Sequence, residues 1–503
     1  MKTSTKYIIA ACILCVGITQ SCKKDFLNKN PLDVLSTQTF WKSDVDVQQA
    51  LAGVYATLQN SDFYAGRKPW LDAYSDDAYD RDSYYGFDIL TQGFVNSTNV
   101  TGAFYGPPYR GIAACNYFLD NVNKAPISAV ALNQYSAEVK FLRAMYYFDL
   151  VQAYGGVVVY KTTPATVAAS KISQSSQADV LTFVNSDLDF AITNLPDVSY
   201  AGSGHAVKAA ALAEKARVAL FQKNWELAVS LTEEIMSSKK FSIDASYSGL
   251  FINATQQTSN EIIFSDKYLR PNDVNNMNSE IGAEASIAPV QNLVDEYETT
   301  SGKMITDPTS GYNPANPYVN RDARLGFTIQ VPGDNFTNPD GSPFTHNDPL
   351  VTGYASKKYV DFSQLPFVNT LVQDQNVILI RYADVLLMYA EAKNELSGPD
   401  PSVYAAINQI RQRPTVNMPP VSQAVYNSQS SLREFIRHER RIEFAMEGWR
   451  YYDLKRWGIM EQKLTQMKNP GGIQLKFGEK NNVLPFSQSE LIANPQLKQN
   501  AGY

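Results

Sequence analysis

A chain of 503 residues, 44% hydrophobic and 19% charged, has the material for a large folded core and not for a disordered polymer. Its net charge of −6 argues against a nucleic-acid partner, because phosphate binding rests on an excess of clustered Lys and Arg. Aromatic residues reach 12% while His numbers only 3 and Cys 4, which favours stacking surfaces over histidine- or thiol-based chemistry.

The N-terminus places Lys2 and Lys6 before an apolar run, Tyr7–Ile18, followed by Thr19-Gln20-Ser21-Cys22. A basic start, a short apolar core and small or polar residues before a cut predict a secretory signal over 1–21, too short to span a bilayer. The cysteine directly after the cut resembles a bacterial lipoprotein signal, with Thr19 where Leu is usual. Cys22 is therefore the expected lipid anchor, since two or more acyl chains hold a protein where one holds only marginally. Ordinary cleavage, with Cys22 incidental, is the alternative. Cys12 and Cys15 form a CxxC inside the discarded run, so Cys115 is left alone and no structural disulfide can form. No apolar run of membrane-spanning length follows Cys22.

Helical periodicity dominates 44–237 and 377–462. Phe141, Leu142, Met145, Phe148, Leu150 and Ala153 follow near-3.6 spacing and predict a helix ending at Gly155-Gly156. Ala209 to Leu220, the turn Gln222-Lys223-Asn224 and Trp225 to Met236 resemble one tetratricopeptide unit. Ala383–Leu396, a Gly398-Pro399 turn and Val403–Arg411 resemble a second. The expected fold is all-α for the most part: a tetratricopeptide-like helical-repeat scaffold with a loop-rich insertion containing short strands. The organisation expected is 1–21 signal, 22–237 N-terminal helical region and 238–503 C-terminal region, integrated as one unit. Within the last, 238–376 is the insertion and 377–503 is helical. Gly and Pro supply 12 of 48 residues between Gly302 and Pro349, more than twice their share of the whole chain, and Phe327–Val331 is a strand candidate there. Tyr312, Tyr318, Phe327 and Phe344 in that stretch favour ordered loops.

Two stretches invite chemistry. Leu432–Trp449 reads as one charged helix with His438 among Arg437, Glu439, Arg440, Arg441, Glu443 and Glu447. Its apolar stripe packs inward, and spacings such as Glu434/His438 and Arg440/Glu443 predict weak intrahelical pairs, so the helix reads as structural rather than catalytic. The loop Trp70–Phe87 interleaves aromatic rings with acids and Arg81. Flat rings stack on the C–H faces of sugars while carboxylates and guanidinium groups bond hydroxyls, which makes this a candidate saccharide contact. Trp70, Tyr74, Asp76, Asp77, Tyr79, Arg81, Tyr84 and Tyr85 are the candidates; the alternative is that the rings pin the loop to the scaffold. A calcium loop beginning at Asp80 would need Gly and Glu where Tyr85 and Thr91 stand, so Ca²⁺ has no support and no cofactor is expected. The chain has no P-loop, HExxH or GxSxG, and nothing singles out a glycosidase pair among 50 acids.

Five blocks in order carry a resemblance: Cys22–Leu27 with Pro31 and Phe40-Trp41; Phe141–Leu150 with Tyr154-Gly155-Gly156; Arg381–Ala392; Ile436–Phe444 with Glu447–Trp457; and Leu484-Pro485-Phe486 through Gln499–Tyr503. Together they resemble the SusD/RagB family of outer-membrane nutrient-binding lipoproteins of Bacteroidota. The resemblance implies a helical scaffold seated on a SusC-like TonB-dependent transporter, facing outward from the outer membrane and binding oligosaccharide or a similar nutrient without catalysis. It also implies a ligand held between N-terminal loops and the central insertion, which adds Tyr312, Tyr318 and Phe327 as candidates. Arg321–Leu325 resembles a structural motif of that insertion. A tetratricopeptide protein-interaction scaffold and a secreted glycoside hydrolase are the alternatives.

Overall fold

A computed structural model describes residues 40–59, 65–83, 86–200, 204–368 and 373–503. Residues 1–21, where a signal is expected, Cys22, Tyr84 and Tyr85 lie outside the described residues. The longer helices are α1 (Asp44–Tyr55), α2 (Gly106–Asn121), α3 (Ala129–Tyr154), α4 (Gln177–Asn194), α5 (Lys208–Phe221), α6 (Trp225–Ser238), α7 (Tyr382–Ser397), α8 (Pro401–Arg411), α9 (Gln429–Phe444) and α10 (Arg450–Trp457). Short strands are β1 (Ala78–Asp80), β2 (Ile262–Asp266), β3 (Ile287–Pro289), β4 (Ile329–Gln330), β5 (Ala355–Ser356) and β6 (Val377–Arg381). The fold is predominantly helical, as the sequence pattern predicts.

Side-chain caps set where these helices begin. Ser43 and Asp46 form a capping box on α1, and the Ser128, Ser176, Asn224 and Asp400 side chains accept from the first turns of α3, α4, α6 and α8. Pro401, which needs no intrahelical N–H partner, opens α8. Helices α2 through α8 then stack pairwise, α3 on α4, α4 on α5, α5 on α6, α6 on α7 and α7 on α8, with α9 beside α7. The α5–α6 and α7–α8 hairpins sit where the tetratricopeptide spacing puts them. Ala209, Ala210, Ala213, Ala216 and Ala219 are all buried along α5, so small residues let its neighbours come close. At the α2–α3 crossing the approach is closer still: a Cβ on Gly111 would stand 2.3 Å from the Tyr146 ring.

The insertion is closed at its base by β2 pairing antiparallel with β6, so the chain leaves and re-enters the scaffold at one place, and β6 runs straight into α7. Two further antiparallel pairs, β1–β3 and β4–β5, tie the N-terminal region to the insertion and the insertion to itself. Phe336 stacks on Phe362 at 3.7 Å, and Phe344 meets Phe362 and Phe367 edge-on, giving the Gly- and Pro-rich stretch an aromatic core of its own.

Three local expectations are corrected. Phe327–Val331 is not a strand: the Asp322 side chain caps a helix over Ala323–Thr328, and only Ile329–Gln330 pairs with a neighbour. The charged helix does not reach Trp449. It stops at Phe444, Met446 takes φ 63° and Gly448 φ 78°, and the chain restarts as α10. Gly448 is required there, since a Cβ would lie 2.0 Å from the Lys68 carbonyl oxygen. Finally, Trp70–Phe87 is no open loop: Ala65–Tyr74 forms 3₁₀ turns, Ala78–Asp80 is β1, and a short helix begins at Phe87.

The charged face of α9 lies inside the molecule. Arg324, Arg381 and Arg413 converge on Glu443, at 2.9, 2.6 and 2.8 Å, while Glu439 takes Arg324 and Arg411, both at 2.7 Å. Arg440 does not pair with Glu443 along the helix but reaches Asp384 on α7 and Asp453 on α10. His438 bonds the Glu296 backbone carbonyl at 2.8 Å instead of Glu434. Only the Arg437–Glu434 pair stays on the helix. Interhelical partners win because a buried charge must be matched in place, whereas an exposed pair three or four residues apart contributes only tenths of a kcal/mol.

Candidate ligand-binding site

The segment leading to β1 is anchored by the residues that its composition makes attractive for a ligand. Trp70 is buried, and its Nε1 donates to Ser286 Oγ at 3.0 Å. Tyr74 has no exposed surface; its ring stacks on Tyr451 at 4.5 Å and on Phe87 at 6.3 Å. Asp76 receives Arg450 through both oxygens, at 2.7 and 2.9 Å, and Arg441 at 3.3 Å. Burial raises the Asp76 carboxyl pKa, but the two guanidinium groups outweigh burial and hold it well below the usual range. Asp77 accepts from Arg441 Nε at 2.7 Å; there burial dominates and pushes the carboxyl up. Asp72, equally buried, accepts from the backbone N–H groups of Gly448 and Arg450 at 3.1 and 3.3 Å. Trp70, Tyr74, Asp76 and Asp77 are therefore corrected from ligand candidates to the clamp that fastens the β1 segment to α9 and α10. Their faces and lone pairs are turned into the protein.

What this clamp holds out is the tip. β1 pairs with β3 so that Ala78, Tyr79 and Asp80 stand opposite Pro289, Ala288 and Ile287, and Arg81 N–H continues the ladder to Ser286 O at 3.0 Å. Side chains alternate along the strand: Ala78 and Asp80 turn inward and Tyr79 outward, where it is half-buried. Arg81 closes on Asp82 through two hydrogen bonds, 2.8 and 3.0 Å, and reaches Asp348 of the insertion at 3.0 Å. Asp348 is 59% exposed, so this pair spans the N-terminal tip and the insertion at the surface. Beside Asp348, His346 Nε2 meets Gln330 Oε1 at 3.0 Å and its ring stands edge-on to Phe344. Burial lowers the His346 pKa and favours the neutral ring.

The insertion candidates divide. Tyr318 is partly exposed; its hydroxyl lies 3.1 Å from that of Tyr354, which donates to Gln291 Oε1 at 2.5 Å. Together with Arg321, Val331 and Asp334, Tyr318 lines a cavity of about 600 Å³. Tyr312 lies against the Arg321 guanidinium, 5.5 Å from ring centre. Arg321 itself is committed to the carbonyl oxygens of Val294, Tyr297 and Pro317, and Arg324 of the same motif to Asp322, Glu439 and Glu443, so the structural reading of Arg321–Leu325 holds. Phe327 is half-buried and packs against the core, with its ring 6.2 Å from that of Tyr247, so its inner face is committed to packing.

Arg81 thus stands at one end of β3, beside Ser286, and Tyr79 opposite its middle residue, Ala288, while the Tyr318–Tyr354–Gln291 chain stands beyond the other end. Four extended residues lie between Ser286 and Gln291, a span of about 16 Å over five steps at about 3.3 Å each. A ligand touching both ends has to be extended. Sequence reasoning missed Asp348, Tyr354 and Gln291; the signal for them was their place in the 238–376 insertion, and of the three Asp348 alone falls in its Gly- and Pro-rich stretch. Among the described residues, no three His, Cys, Asp or Glu side chains gather as a cation site.

Comparison with known proteins matches the SusD family to residues 252–503. A second family, described as starch-binding associating with outer membrane, matches residues 25–220. A SusD-like protein of Formosa agariphila is 27% identical, covering 98% of this chain and 97% of that protein. A SusD-like protein of Bacteroides ovatus is 24% identical over 87% and 80%, respectively. Among solved structures, a SusD-like carbohydrate binding protein from Bacteroides fragilis is similar with a TM-score of 0.81 at 27% identity, covering 92% of this chain and 100% of that one. A laminarin binding SusD-like protein has the same fold, with a TM-score of 0.72 at 24% identity and coverage of 92% and 100%.

Proposed function

The chain belongs to the SusD family, and from that membership we propose that it is a non-catalytic glycan-binding protein of the outer membrane. The observation that carries this reading is likeness along nearly the whole chain to a solved SusD-like carbohydrate binding protein. The ligand lies along β3, stacking on Tyr79 beside its middle and meeting Tyr318 beyond its far end, with Arg81 bonding hydroxyls between tip and insertion. Binding of this kind needs desolvated rings and fixed hydrogen-bonding groups but no proton transfer. Acylated Cys22 tethers the protein to the outer membrane, and the captured glycan passes to a SusC-like TonB-dependent transporter. A tethered form is consistent with the absence, among the described residues, of any helix long and apolar enough to cross a membrane.

Titration calorimetry and affinity gels against a glycan panel test the binding, with Tyr79→Ala and Arg81→Ala as paired variants. The expected result is binding of at least one oligosaccharide, weakened in both variants while the melting temperature holds. Failure of every glycan to bind would remove the reading. Co-purification from membranes tests the partner: a large β-barrel is expected, and recovery of soluble proteins alone would favour an interaction scaffold instead.

A further inference from the structure

Away from the β1 tip, α1, the N-terminal half of α3, Gly204-His205 and the segment Ser265–Asp273 enclose a cleft of about 770 Å³. That volume lies in the ordinary range for small-molecule sites, about 300–1,000 Å³. The cleft shares no lining residue with the tip or with the Tyr318 cavity.

Its walls are prepared groups. Tyr55 donates its hydroxyl to Glu138 Oε2 at 2.6 Å and accepts the Ala206 N–H at 2.8 Å. His205 Nδ1 sits 2.7 Å from the same carboxylate oxygen, and its ring stands edge-on to Tyr55 at 5.6 Å. Across the cleft, Gln59 Nε2 donates to Asp273 Oδ2 at 2.7 Å and to the Lys267 carbonyl. At the mouth, Gln48 Nε2 meets the Tyr135 hydroxyl at 3.3 Å. The floor holds Asp266, 1% exposed, whose Oδ2 has no hydrogen-bond partner among the described residues. Burial raises the Asp266 carboxyl pKa well above the usual range, against a smaller opposing effect of a hydrogen bond from Tyr268.

The lining therefore mixes donors, acceptors and tyrosine rings, and its acids, Glu138 and Asp273, are already matched by hydrogen bonds. Among the described residues Lys267 is the one ammonium on this lining, and its Nζ donates to Gln257 Oε1 at 3.1 Å, so the surface offers neither the converging cations that a phosphate calls for nor the gathered carboxylates that a bare cation calls for. It matches a neutral polyhydroxyl ring, whose hydroxyl groups donate and accept and whose C–H face lies on an aromatic wall. We infer that this cleft is a second saccharide site, taking a short neutral sugar segment against Tyr55 and Tyr135 with Gln48, Gln59 and His205 bonding its hydroxyls. The inference rests on the glycan-binding reading, and it adds a site independent of the β1 tip.

Calorimetry of the full chain against cello-, laminari-, xylo- and manno-hexaose tests it. Ala52 is an exposed α1 residue lining the cleft, so Ala52→Trp fills the opening without disturbing a buried contact. Gln48→Ala with His205→Ala serves if the tryptophan variant does not fold. The expected result is two sites for at least one hexaose in the native chain, with the cleft variant losing one or weakening it tenfold or more. The tip variants, Tyr79→Ala with Arg81→Ala, should leave that site intact. Unchanged affinity and stoichiometry in the cleft variant, with binding abolished in the tip variant, would overturn the second site and leave the glycan-binding reading standing. Absence of binding by every hexaose to the native chain would overturn the second site, and the wider glycan panel then decides the broader reading separately.

Discussion

Arg381 and Arg81 both face several carboxylates, yet they belong to different kinds of region. Arg381 has 1% of its side chain exposed and meets Glu261, Glu443 and Glu447, which are no more exposed. Arg81 is 13% exposed and reaches Asp348, which lies mostly in solvent. Around Arg381 every charge is committed. Burial raises the Glu443 pKa, but Arg413, Arg381 and Arg324 outweigh it and hold the carboxyl below its usual range, while burial pushes Lys358 down to about 8. Around Arg81 one partner, Asp348, stands open to water. A cluster of charges is scaffold when it is sealed and matched, and is available for recognition when its members can trade partners at low cost.

Breaking the sealed region should have the largest effect. Glu443→Gln removes the charge that three buried guanidinium groups share, and losing one partner of a buried pair costs about 3–5 kcal/mol. Guanidinium chloride unfolding should show a midpoint lowered accordingly. A change below about 1 kcal/mol would mean the network is wetter than its geometry indicates. Gly448→Ala should follow, at about 1–3 kcal/mol, since the added Cβ meets the Lys68 carbonyl and the backbone keeps a positive φ. Neither change touches the tip, so glycan affinity measured where the variants remain folded should stay within about twofold.

Acid separates the same two regions by the size of its effect. Asp76, Asp384, Glu391, Glu439 and Glu443 have pKa values below their ordinary ones: burial opposes the shift, and neighbouring arginines overcome it. Each favours the folded state above its unfolded pKa, about 4, and loses that contribution as pH falls through its depressed folded value. Thermal unfolding should therefore be nearly flat from pH 7 to 5 on account of these groups and fall steeply below pH 4. Glu443→Gln should make the acid limb shallower. Arg81→Ala should leave its slope unchanged, because the exposed Arg81–Asp348 pair contributes little.

The legibility of the two regions differs for a related reason. Helix pairs were readable because the α5–α6 and α7–α8 signals are local: apolar spacing, a turn and a cap within a few residues. The resemblance blocks from Phe141 to Trp457 likewise carried the family. The Trp70–Phe87 segment was misread because its meaning is not local. Asp77 is 364 residues from Arg441, and Asp76 is 374 from Arg450, so composition alone cannot tell a committed carboxylate from a free one. Aromatic rings carry the same ambiguity: Tyr74 stacks inside on Tyr451, whereas Tyr79, five residues on, faces outward by strand alternation. Register relative to β3, which the sequence does not display, decides which ring is offered.

The smallest effects belong to the tip, and they test whether that offer is real. Arg81→Ala should cost under about 1 kcal/mol in stability yet weaken glycan binding by about ten- to a hundredfold, the range expected when hydrogen bonds to a charged group are lost. Asp348→Asn keeps the shape and a hydrogen bond to Arg81 while removing one exposed charge. Stability should change by less than about 0.5 kcal/mol and affinity by less than about fivefold, measured by unfolding and calorimetry on one preparation. If Asp348→Asn instead destabilises the protein as strongly as Glu443→Gln, the tip is sealed like the α9 network. Arg81 would then be one more clamp, and recognition would have to rest on Tyr79 and on the Tyr318 end of β3.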